Sequence, residues 1–274
     1  MTNPILSIIT VNYNNNLGLK KTIDSIKKQS FSSYEHIIID AASRDGSITT
    51  IEEYEKENQK LSYWVSENDK GIYDGMNKGI KKAQGEYFLF LNSGDCLLDD
   101  ILSNINFNGT KYIYGDAMII KNKKIITRKY PDKIDFIYLS NNSFNHQSCF
   151  IHKSLFVNEL YDCDYKIISD WAHCFESIVQ NKCSYNHIPL VISVCDGSGV
   201  SSNYSMLQKE RQIWFRKKYP PLLSDAYIDC SKLDESGLRS IITLIYNTRK
   251  FKKRIKKIIY FLYKLNLIFS NKHE

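Results

Sequence analysis

The sequence lacks the features that mark several classes of protein. Its seven cysteines are scattered, odd in number and free of any Cys-x-x-Cys pair, which argues against a disulfide framework and a zinc knuckle. No apolar run reaches the roughly 18 residues expected of a membrane-spanning helix. The N-terminus has no basic region followed by an apolar stretch, as a secretory signal would have. We therefore expect reduced thiols, as in a cytosol, and a chain that is not integral to a membrane.

The composition describes an ordered globular protein. Hydrophobic residues make up 43% of the 274 residues, charged residues 24% and aromatic residues 13%, which excludes disorder as the main state. The formal net charge is +7, but residues 241–272 contain nine Lys or Arg and no Asp or Glu. The body of the chain is therefore close to neutral, and its basic character lies near the C-terminus.

The first 110 residues alternate short apolar runs with segments of helical periodicity. This rhythm predicts βαβ crossovers and a mostly parallel sheet, in which ligands bind beyond the carboxyl ends of the strands. Further strands are expected over 111–114, 118–120, 124–127, 148–152 and 185–194, and a helix over 169–182. The predicted strands of the first part are 5–11, 36–40, 63–66 and 86–91, and its predicted helices are 17–29, 46–60 and 72–83.

Polar and acidic residues follow all four of these strands. They occupy 12–16, 40–46, 67–71 and 92–95. Asn and Asp are also common in turns and at helix N-caps, so each loop taken alone has that alternative explanation. Their recurrence at four strand ends favours one shared binding edge.

Four of these segments resemble the successive signatures of family 2 glycosyltransferases. They are 7–14 (SIITVNYN), 39–47 (IDAASRDGS), 66–79 (SENDKGIYDGMNKG) and 90–95 (FLNSGD). The resemblance implies an α/β GT-A fold, Rossmann-like with flanking helices, that transfers a sugar from a nucleotide diphosphate donor and inverts the anomeric centre. It is strong over 4–100, thinner over 140–201 and absent beyond about 220. We accordingly expect a domain over 1–220, with a nucleotide-sugar half (1–110) and an acceptor half (111–220), and a helical extension over 221–274.

The resemblance assigns a donor site to the strand ends. Asp40 would accept the ring N–H of the nucleotide base, and Asp69 would secure the nucleoside. For Asp74 and Lys78 a plain surface ion pair is the alternative, and Lys78 is expected to be solvated. The full set of implied donor-binding residues is Thr10, Asn12, Asp40, Asp69, Lys70, Gly71, Asp74, Asn77, Asn92 and Ser93.

Asp95 is the implied metal ligand. A diphosphate brought to a carboxylate-rich site calls for a divalent cation, Mn²⁺ or Mg²⁺. The family commonly has acids at two or three of the positions matching 92–95, where this chain has Asn92, Ser93 and Gly94. Many relatives also have an acid in place of Ala41. Both departures predict fewer contacts to the donor and the metal.

An inverting transfer needs one general base for the acceptor hydroxyl, and the resemblance gives this role to Asp170. The alternative is that Asp170 only helps to start a helix, because Ser169 is a suitable N-cap and acids are favoured in a first turn. Asp162 and Asp164 are the fallback candidates. His146, Gln147 and Trp171 are implied on the acceptor side, although a lone His is more often structural.

The segment 249–269 is expected to be a basic amphipathic helix. Seven Lys or Arg lie within 249–257, between aliphatic and aromatic stretches, a composition that suits the surface of an anionic membrane. A solvated helix and packing in a homodimer are the alternatives. Nucleic acid is not expected, because no nucleic-acid motif is present and the body is near neutral.

The sequence therefore predicts an inverting transferase that moves one sugar, with UDP as the favoured carrier, to a lipid-linked saccharide in bacterial surface polysaccharide synthesis, such as O-antigen or capsule. It would be cytoplasmic and peripheral on the inner face of the plasma membrane. A processive synthase is not expected, because Gln208, Arg211 and Trp214 miss the Gln-x-x-Arg-Trp spacing. Two alternatives stay open: a non-catalytic nucleotide-sugar binder, and a nucleotidyltransferase, which usually has a Gly-rich basic loop where this chain has 12–16.

Overall fold

The computed structural model describes residues 3–197, 199 and 203–235. The chain divides into two compact units, Met1–Arg211 and Gln212–Glu274. The first half of the larger unit alternates strands with helices, as the sequence predicts. Its elements are β1 (Leu6–Asn12), α1 (Asn16–Lys27), β2 (Tyr34–Asp40), α2 (Ser47–Glu57), β3 (Leu61–Ser66), α3 (Ile72–Lys82) and β4 (Tyr87–Phe90).

These four strands form a parallel half-sheet in the order β3-β2-β1-β4. Every residue of β1 and β2 is buried, which explains their continuous apolar character, since helices cover both faces of a parallel sheet. Register places Asn12 beside Asp40 and Asp40 beside Ser66. The polar ends of three strands therefore meet at one edge.

The second half of this unit adds antiparallel pairing to the same sheet. Among the described residues the sheet has nine strands, in the order β3-β2-β1-β4-β8-β6-β9-β5, with β7 paired to β6. One strand, β6, replaces the two that the sequence predicts over 111–120. The added elements are β5 (Cys96–Leu97), β6 (Tyr112–Lys121), β7 (Lys124–Arg128), α4 (Phe136–Asn141), β8 (Cys149–His152), α5 (Ser169–Phe175) and β9 (Tyr185–Asp196).

Two glycines let α3 lie directly on β1. A Cβ at Gly79 would sit 2.4 Å from Cγ2 of Ile9, and one at Gly75 would sit 2.8 Å from Cγ1 of Val11. No side chain fits at either position without a shift of the helix or the strand. This close contact fixes the height of the first turn of α3 above the carboxyl end of β1.

An aromatic cluster joins α3 to α5. Phe156 stacks on His173 of α5 with ring centroids 4.2 Å apart, and Tyr161 packs against Tyr73 of α3 at 5.5 Å. Such pairs add about 0.5–1.5 kcal/mol each beyond their buried area. Where the sequence predicts one helix over 169–182, the structure has an α-helix that ends at Phe175, followed by a π-helical turn over Glu176–Gln180.

The smaller unit is described as far as residue 235. Helix α6 (Tyr204–Lys218) runs into it and α7 (Pro221–Glu235) follows. Within it, the rings of Phe215 and Tyr227 stack with centroids 3.7 Å apart. The predicted basic helix over 249–269 lies outside the described residues. In the part of the chain that is described, every helix is too short or too polar to cross a membrane.

Candidate active site

Asp40 connects the ends of three strands. Its carboxylate is fully buried; Oδ1 accepts from Nδ2 of Asn12 at 2.7 Å, and Oδ2 accepts from the Ser43 backbone N–H at 2.9 Å and the Ser66 hydroxyl at 2.6 Å. These charge-assisted bonds stabilise a buried carboxylate. Ser43 and Ser66, which the sequence does not single out as ligand-binding, thus hold the residue expected to meet the base.

Thr10 is not open to a ligand in this structure. It has no exposed surface, and its hydroxyl lies 2.9 Å from Nε2 of His36 in the core beneath α1 and α2. Burial lowers the pKa of His36 to about 3, so that ring is neutral at pH 7. The Thr10 side chain, which the resemblance implies in the donor site, is thus held in the core by the His36 ring.

Other polar residues of these loops have the structural roles that the sequence leaves open. Asn15 caps α1 through a bond from the Gly18 N–H, and Asp45 accepts from the Ser47 hydroxyl at 2.6 Å. Nδ2 of Asn15 also donates to the Ser93 carbonyl at 2.9 Å. That bond brings the loop after β1 against the loop after β4.

The loop before α3 folds back on the first turn of that helix. Oδ1 of Asp69 accepts from the Gly71 N–H at 3.0 Å, and Oδ2 of Asp74 accepts from the Lys70 N–H at 3.1 Å. Burial raises the pKa of Asp69, although the Gly71 bond and the charge of Lys78 oppose the rise. Lys78 is not a solvated side chain as expected, since its Nζ lies 2.9 Å from Oε1 of Glu67 and donates to the Asn68 carbonyl at 2.9 Å.

Two predicted site residues instead join elements of the fold. Asn77 is 6% exposed, and its amide donates to the Tyr161 carbonyl at 2.8 Å and accepts from the Tyr161 N–H at 3.0 Å. The Trp171 indole is 4% exposed, donates to the Leu139 carbonyl at 2.7 Å and lies 4.5 Å from the Arg211 guanidinium. Both side chains therefore hold segments of the fold together rather than face solvent.

Asp170 lies in the first turn of α5. Its Oδ1 accepts from the Tyr73 hydroxyl at 2.8 Å, and its Oδ2 lies 3.1 Å from Nδ1 of His146. Ser169 is inside the helix and Ile168, the N-cap, makes no side-chain cap bond. The N-cap interpretation of Ser169 is therefore wrong, and the carboxylate is held by groups 97 and 24 residues away.

The neighbours of Asp170 favour its ionised form. Burial raises the pKa of its carboxyl, but the hydrogen bond and charge of His146, the Tyr73 hydroxyl and the Trp171 backbone N–H outweigh burial and hold the pKa below its usual value. The Asp170 side chain remains 17% exposed. It is thus an ionised, partly exposed carboxylate.

His146 links Asp170 to the loop after β4. Its Nε2 lies 3.0 Å from Nδ2 of Asn92, while its Nδ1 faces Asp170. A small cleft beside this chain of contacts is lined by Tyr112, Leu139, Asn142, Ser143, Phe144, His146, Asp170, Trp171 and Cys174. Asn92 and Asp170, which the sequence assigns to donor and acceptor sides, are therefore joined through one imidazole.

Asp95 lies deeper, where β9 reaches the same edge. It is 7% exposed; Oδ2 accepts from Nε2 of Gln147 at 2.7 Å and Oδ1 from the Asp196 N–H at 3.1 Å. Burial raises its pKa, against the lowering effect of the Gln147 bond and the His146 charge. Gln147, predicted on the acceptor side, is thus a partner of the predicted metal ligand.

The described residues do not form a complete metal site. Within residues 3–197, 199 and 203–235 there is no group of three or more His, Cys, Asp or Glu side chains that could hold an ion. Asp95 offers one carboxylate, and both of its oxygens already accept protein hydrogen bonds. Hard cations such as Mg²⁺ prefer several oxygen ligands, so this chain by itself fits a cation poorly.

Comparison with known proteins identifies the family. A family model described as glycosyl transferase family 2 matches residues 7–157, and the chain belongs to that family. This confirms the resemblance seen in the four sequence segments.

The curated relatives match over part of their length. The chain is 39% identical over 93 residues to an uncharacterised glycosyltransferase of Mycobacterium tuberculosis, covering 34% of each. It is 31% identical over 122 residues to the GalNAc(5)-diNAcBac-PP-undecaprenol beta-1,3-glucosyltransferase of Campylobacter jejuni, covering 43% of this chain and 40% of that one. It is 36% identical over 97 residues to the putative teichuronic acid biosynthesis glycosyltransferase TuaG of Bacillus subtilis, covering 35% and 38%. In each case the match spans less than half of the relative.

Solved structures support the fold. Staphylococcus aureus TarS 1–349 in complex with UDP-GlcNAc aligns with a TM-score of 0.60 at 15% identity, covering 81% of this chain and 70% of that chain. The mannosyltransferase PcManGT of Pyrobaculum calidifontis, in complex with GDP-Man and Mn²⁺, aligns with a TM-score of 0.58 at 14% identity, covering 95% and 86%. The predicted α/β GT-A fold is confirmed.

Proposed function

We propose that the protein is an inverting glycosyltransferase that moves one sugar from a nucleotide diphosphate donor to a lipid-linked saccharide. The observation that carries the proposal is the Asp170 carboxylate, kept ionised by Tyr73 and His146 and partly open to the cleft. Two comparisons support the proposal. The name of the Campylobacter jejuni relative specifies an undecaprenol-linked acceptor, and TarS binds UDP-GlcNAc. UDP is accordingly the favoured carrier.

In the proposed step Asp170 is the general base. The acceptor hydroxyl transfers its proton to a carboxylate oxygen of Asp170 while its own oxygen forms a bond to the anomeric carbon of the sugar. The bond from that carbon to the donor phosphate breaks, and its electron pair leaves with the nucleoside diphosphate. Because attack and departure occur on opposite faces, the anomeric configuration inverts.

The donor is proposed to lie along the strand ends. Two buried acceptors there, Oδ1 of Asn12 and Oδ1 of Asn92, have no hydrogen-bond partner among the described residues. Buried polar atoms are nearly always satisfied, so these two positions suit ligand donors. Asp40, Asp69, Lys70, Gly71, Asp74 and Ser93 complete the proposed donor edge, with Asp40 reaching the base only if the loops around it open.

A divalent cation, Mn²⁺ or Mg²⁺, remains a prediction. It would supply charge neutralisation of the diphosphate, with Asp95 as its carboxylate ligand in this chain. Since the described residues hold no group of three or more metal-ligating side chains, we propose that the ion binds with the nucleotide and not before it.

Attachment to the membrane is also a proposal. A peripheral, cytoplasmic location on the inner membrane face would bring the enzyme to a lipid-linked acceptor. The predicted contribution of 249–269 and a homodimer are likewise untested, since that segment lies outside the described residues. Nucleic acid is not an expected partner.

The test combines binding with turnover. Calorimetry with UDP, GDP and dTDP should give the tightest binding for one nucleotide, and UDP is expected. Incubation of the matching nucleotide sugar with an undecaprenyl diphosphate-linked saccharide should then release nucleoside diphosphate and extend the acceptor. Binding without release or transfer would support the non-catalytic alternative, which the single metal-ligand candidate favours. Release of pyrophosphate from a nucleoside triphosphate would instead support a nucleotidyltransferase.

A further inference from the structure

The hairpin formed by β6 and β7 carries a surface that the proposed chemistry does not use. Residues 121–129 are all exposed, and between Asp116 and Asp132 the sequence has no acid. No carboxylate of the described residues forms an ion pair with the bases here. The five bases of this surface are Lys121, Lys123, Lys124, Arg128 and Lys129.

Large aliphatic side chains lie among these cations. Ile125 is 67% exposed, Ile126 55% and Ile120 43%. Ile120 and Ile125 are direct cross-strand partners, so they form one apolar pair on one face of the hairpin. Ile126 lies on the opposite face, because successive strand residues alternate. Apolar side chains exposed on both faces of a basic tip are unusual for a surface that meets only water.

The turn of this hairpin has a lysine at a position where glycine would adopt the backbone conformation with less strain. Asn122 and Lys123 both have positive φ values, 50° and 63°, which defines the two-residue turn whose favoured sequence is Asn-Gly. Asn suits that conformation, whereas a lysine there is strained. The strained position therefore places a cation at the outermost point of the hairpin.

The β6 strand of the hairpin adjoins the candidate active site through β9. Ile120 pairs with Asp196, the Gly197 N–H donates to the Ile120 carbonyl at 2.8 Å, and the Asp196 N–H donates to Oδ1 of Asp95. The hairpin is thus connected, through the end of β9, to the strand edge where the sugar transfer is proposed to take place.

We infer that the β6–β7 hairpin docks on an anionic lipid bilayer, with Ile120 and Ile125 at the headgroup–acyl boundary and the surrounding bases among the phosphates. Basic residues near an anionic surface and apolar side chains at its boundary are the combination such binding needs. A second copy of this chain fits less well. Antiparallel pairing of two β7 edges would bring Lys124 and Arg128 of one copy against those of the other, and edge lysines oppose such pairing.

This inference deepens the proposed function, since it would bring the cleft to a lipid-linked acceptor. Its test measures lipid contact without turnover, so the two can fail separately.

The experiment places a tryptophan on the hairpin of the full chain. Ile125→Trp is compared with Val157→Trp, a matched control because Val157 is 76% exposed and outside the hairpin. Each variant is mixed with phosphatidylcholine vesicles, with and without phosphatidylglycerol, whose acyl chains carry bromine quenchers. The emission of the wild-type chain, which has three tryptophans, is subtracted.

We expect the added emission of Ile125→Trp to be quenched by anionic vesicles and not by neutral ones, and that of Val157→Trp to be unaffected. Quenching at 125 reports local contact with acyl chains, so binding through another part of the chain cannot produce it. If the protein sediments with the vesicles while the residue at 125 stays unquenched, or if it does not bind them at all, the inference is wrong.

A charge reversal gives an independent measurement. Lys123→Glu combined with Lys124→Glu should weaken partitioning onto anionic vesicles by about tenfold or more, given the contribution of each base near the surface. The control combines Lys20→Glu with Lys56→Glu, two exposed lysines on helices, and changes the net charge equally. Equal loss in both variants would indicate a nonspecific charge effect and overturn the assignment to the hairpin. Self-association through the hairpin without vesicles would favour a second copy instead.

Discussion

Asp170 combines an ionised carboxylate with a place in the lining of the cleft, and a general base needs both. The helix that carries it would be predicted from sequence with or without this role. Its partners Tyr73 and His146 are separated from it by 97 and 24 residues, and no spacing in the sequence relates them. The sequence could name the base only through the family resemblance.

Replacing the base tests it most directly. Asp170→Asn keeps the shape and can still accept from Tyr73, but its amide cannot take a proton at neutral pH. We expect kcat to fall by about 100-fold or more, with nucleotide affinity by calorimetry unchanged. Asp164→Asn, in an exposed turn, is the matched control and should stay active. Full activity of Asp170→Asn would remove it as the base.

His146 should govern the pH dependence of transfer. Its hydrogen bond and charge lower the pKa of Asp170, so His146→Ala should raise that pKa. The base would then be protonated over a wider acid range, and the acidic limb of the profile of kcat/KM against pH should move to higher pH. His146→Gln, which keeps a donor without the charge, should shift the limb less. An unchanged profile in both variants would show that His146 does not act through Asp170.

Asp95 should couple cation binding to nucleotide binding. Because the described residues hold no group of three or more metal-ligating side chains, Mn²⁺ alone should leave Tm unchanged, whereas Mn²⁺ with UDP should raise Tm above the value with UDP alone. Asp95→Asn should remove this increment, and Asp132→Asn, an exposed control, should keep it. A shift produced by Mn²⁺ alone would point to a preformed site.

At the scale of elements, helical and strand periodicity predicts α1, α2, α3 and the four parallel strands to within a few residues. The same reasoning misses α4, because its six residues are too few to show a period. It also splits β6, because Gly115 and Asp116 interrupt the apolar run where register shifts occur in the pairing with β9. Short elements and bulges depend on neighbours that a local pattern does not contain.

The contact between α3 and β1 should be sensitive to one methyl group. Gly79→Ala would place a Cβ 2.4 Å from Ile9 Cγ2, and overpacking of this kind costs about 1–3 kcal/mol. We expect the urea midpoint to fall with the m-value unchanged, and transfer to fall as well because Tyr73 lies on the same helix. Gly199→Ala, where an added Cβ meets nothing within 4 Å, should change neither. Wild-type stability of Gly79→Ala would mean that the helix can move away from the strand.

At the scale of the whole molecule, Arg211 joins separate segments of the larger unit. Its guanidinium stacks on Trp171 and donates to the Asn141 carbonyl at 2.7 Å. It therefore supports the second half of the larger unit. The strand ends with their Asn and Asp residues converge on one edge.

We accordingly expect one sugar per acceptor. Mass spectrometry of the lipid-linked product after long incubation with excess donor should show a single added residue, and NMR of the new linkage should show the inverted anomer. Because no second transfer is expected, enzyme concentration should change the rate but not the product mass. A ladder of products would contradict single transfer, and a retained anomer would contradict the mechanism.

The sequence by itself determined the family, the parallel first half of the sheet and the carboxyl edge where the polar loops meet. These follow from local patterns, since strand and helix periods and motif residues are contiguous along the chain. Only the tertiary structure decided which side-chain partners those residues have. Thr10 and Asn77 are taken up by His36 and Tyr161, while Tyr73 and His146 converge on Asp170. Such choices depend on side-chain direction and on partners distant in sequence, which packing alone brings together.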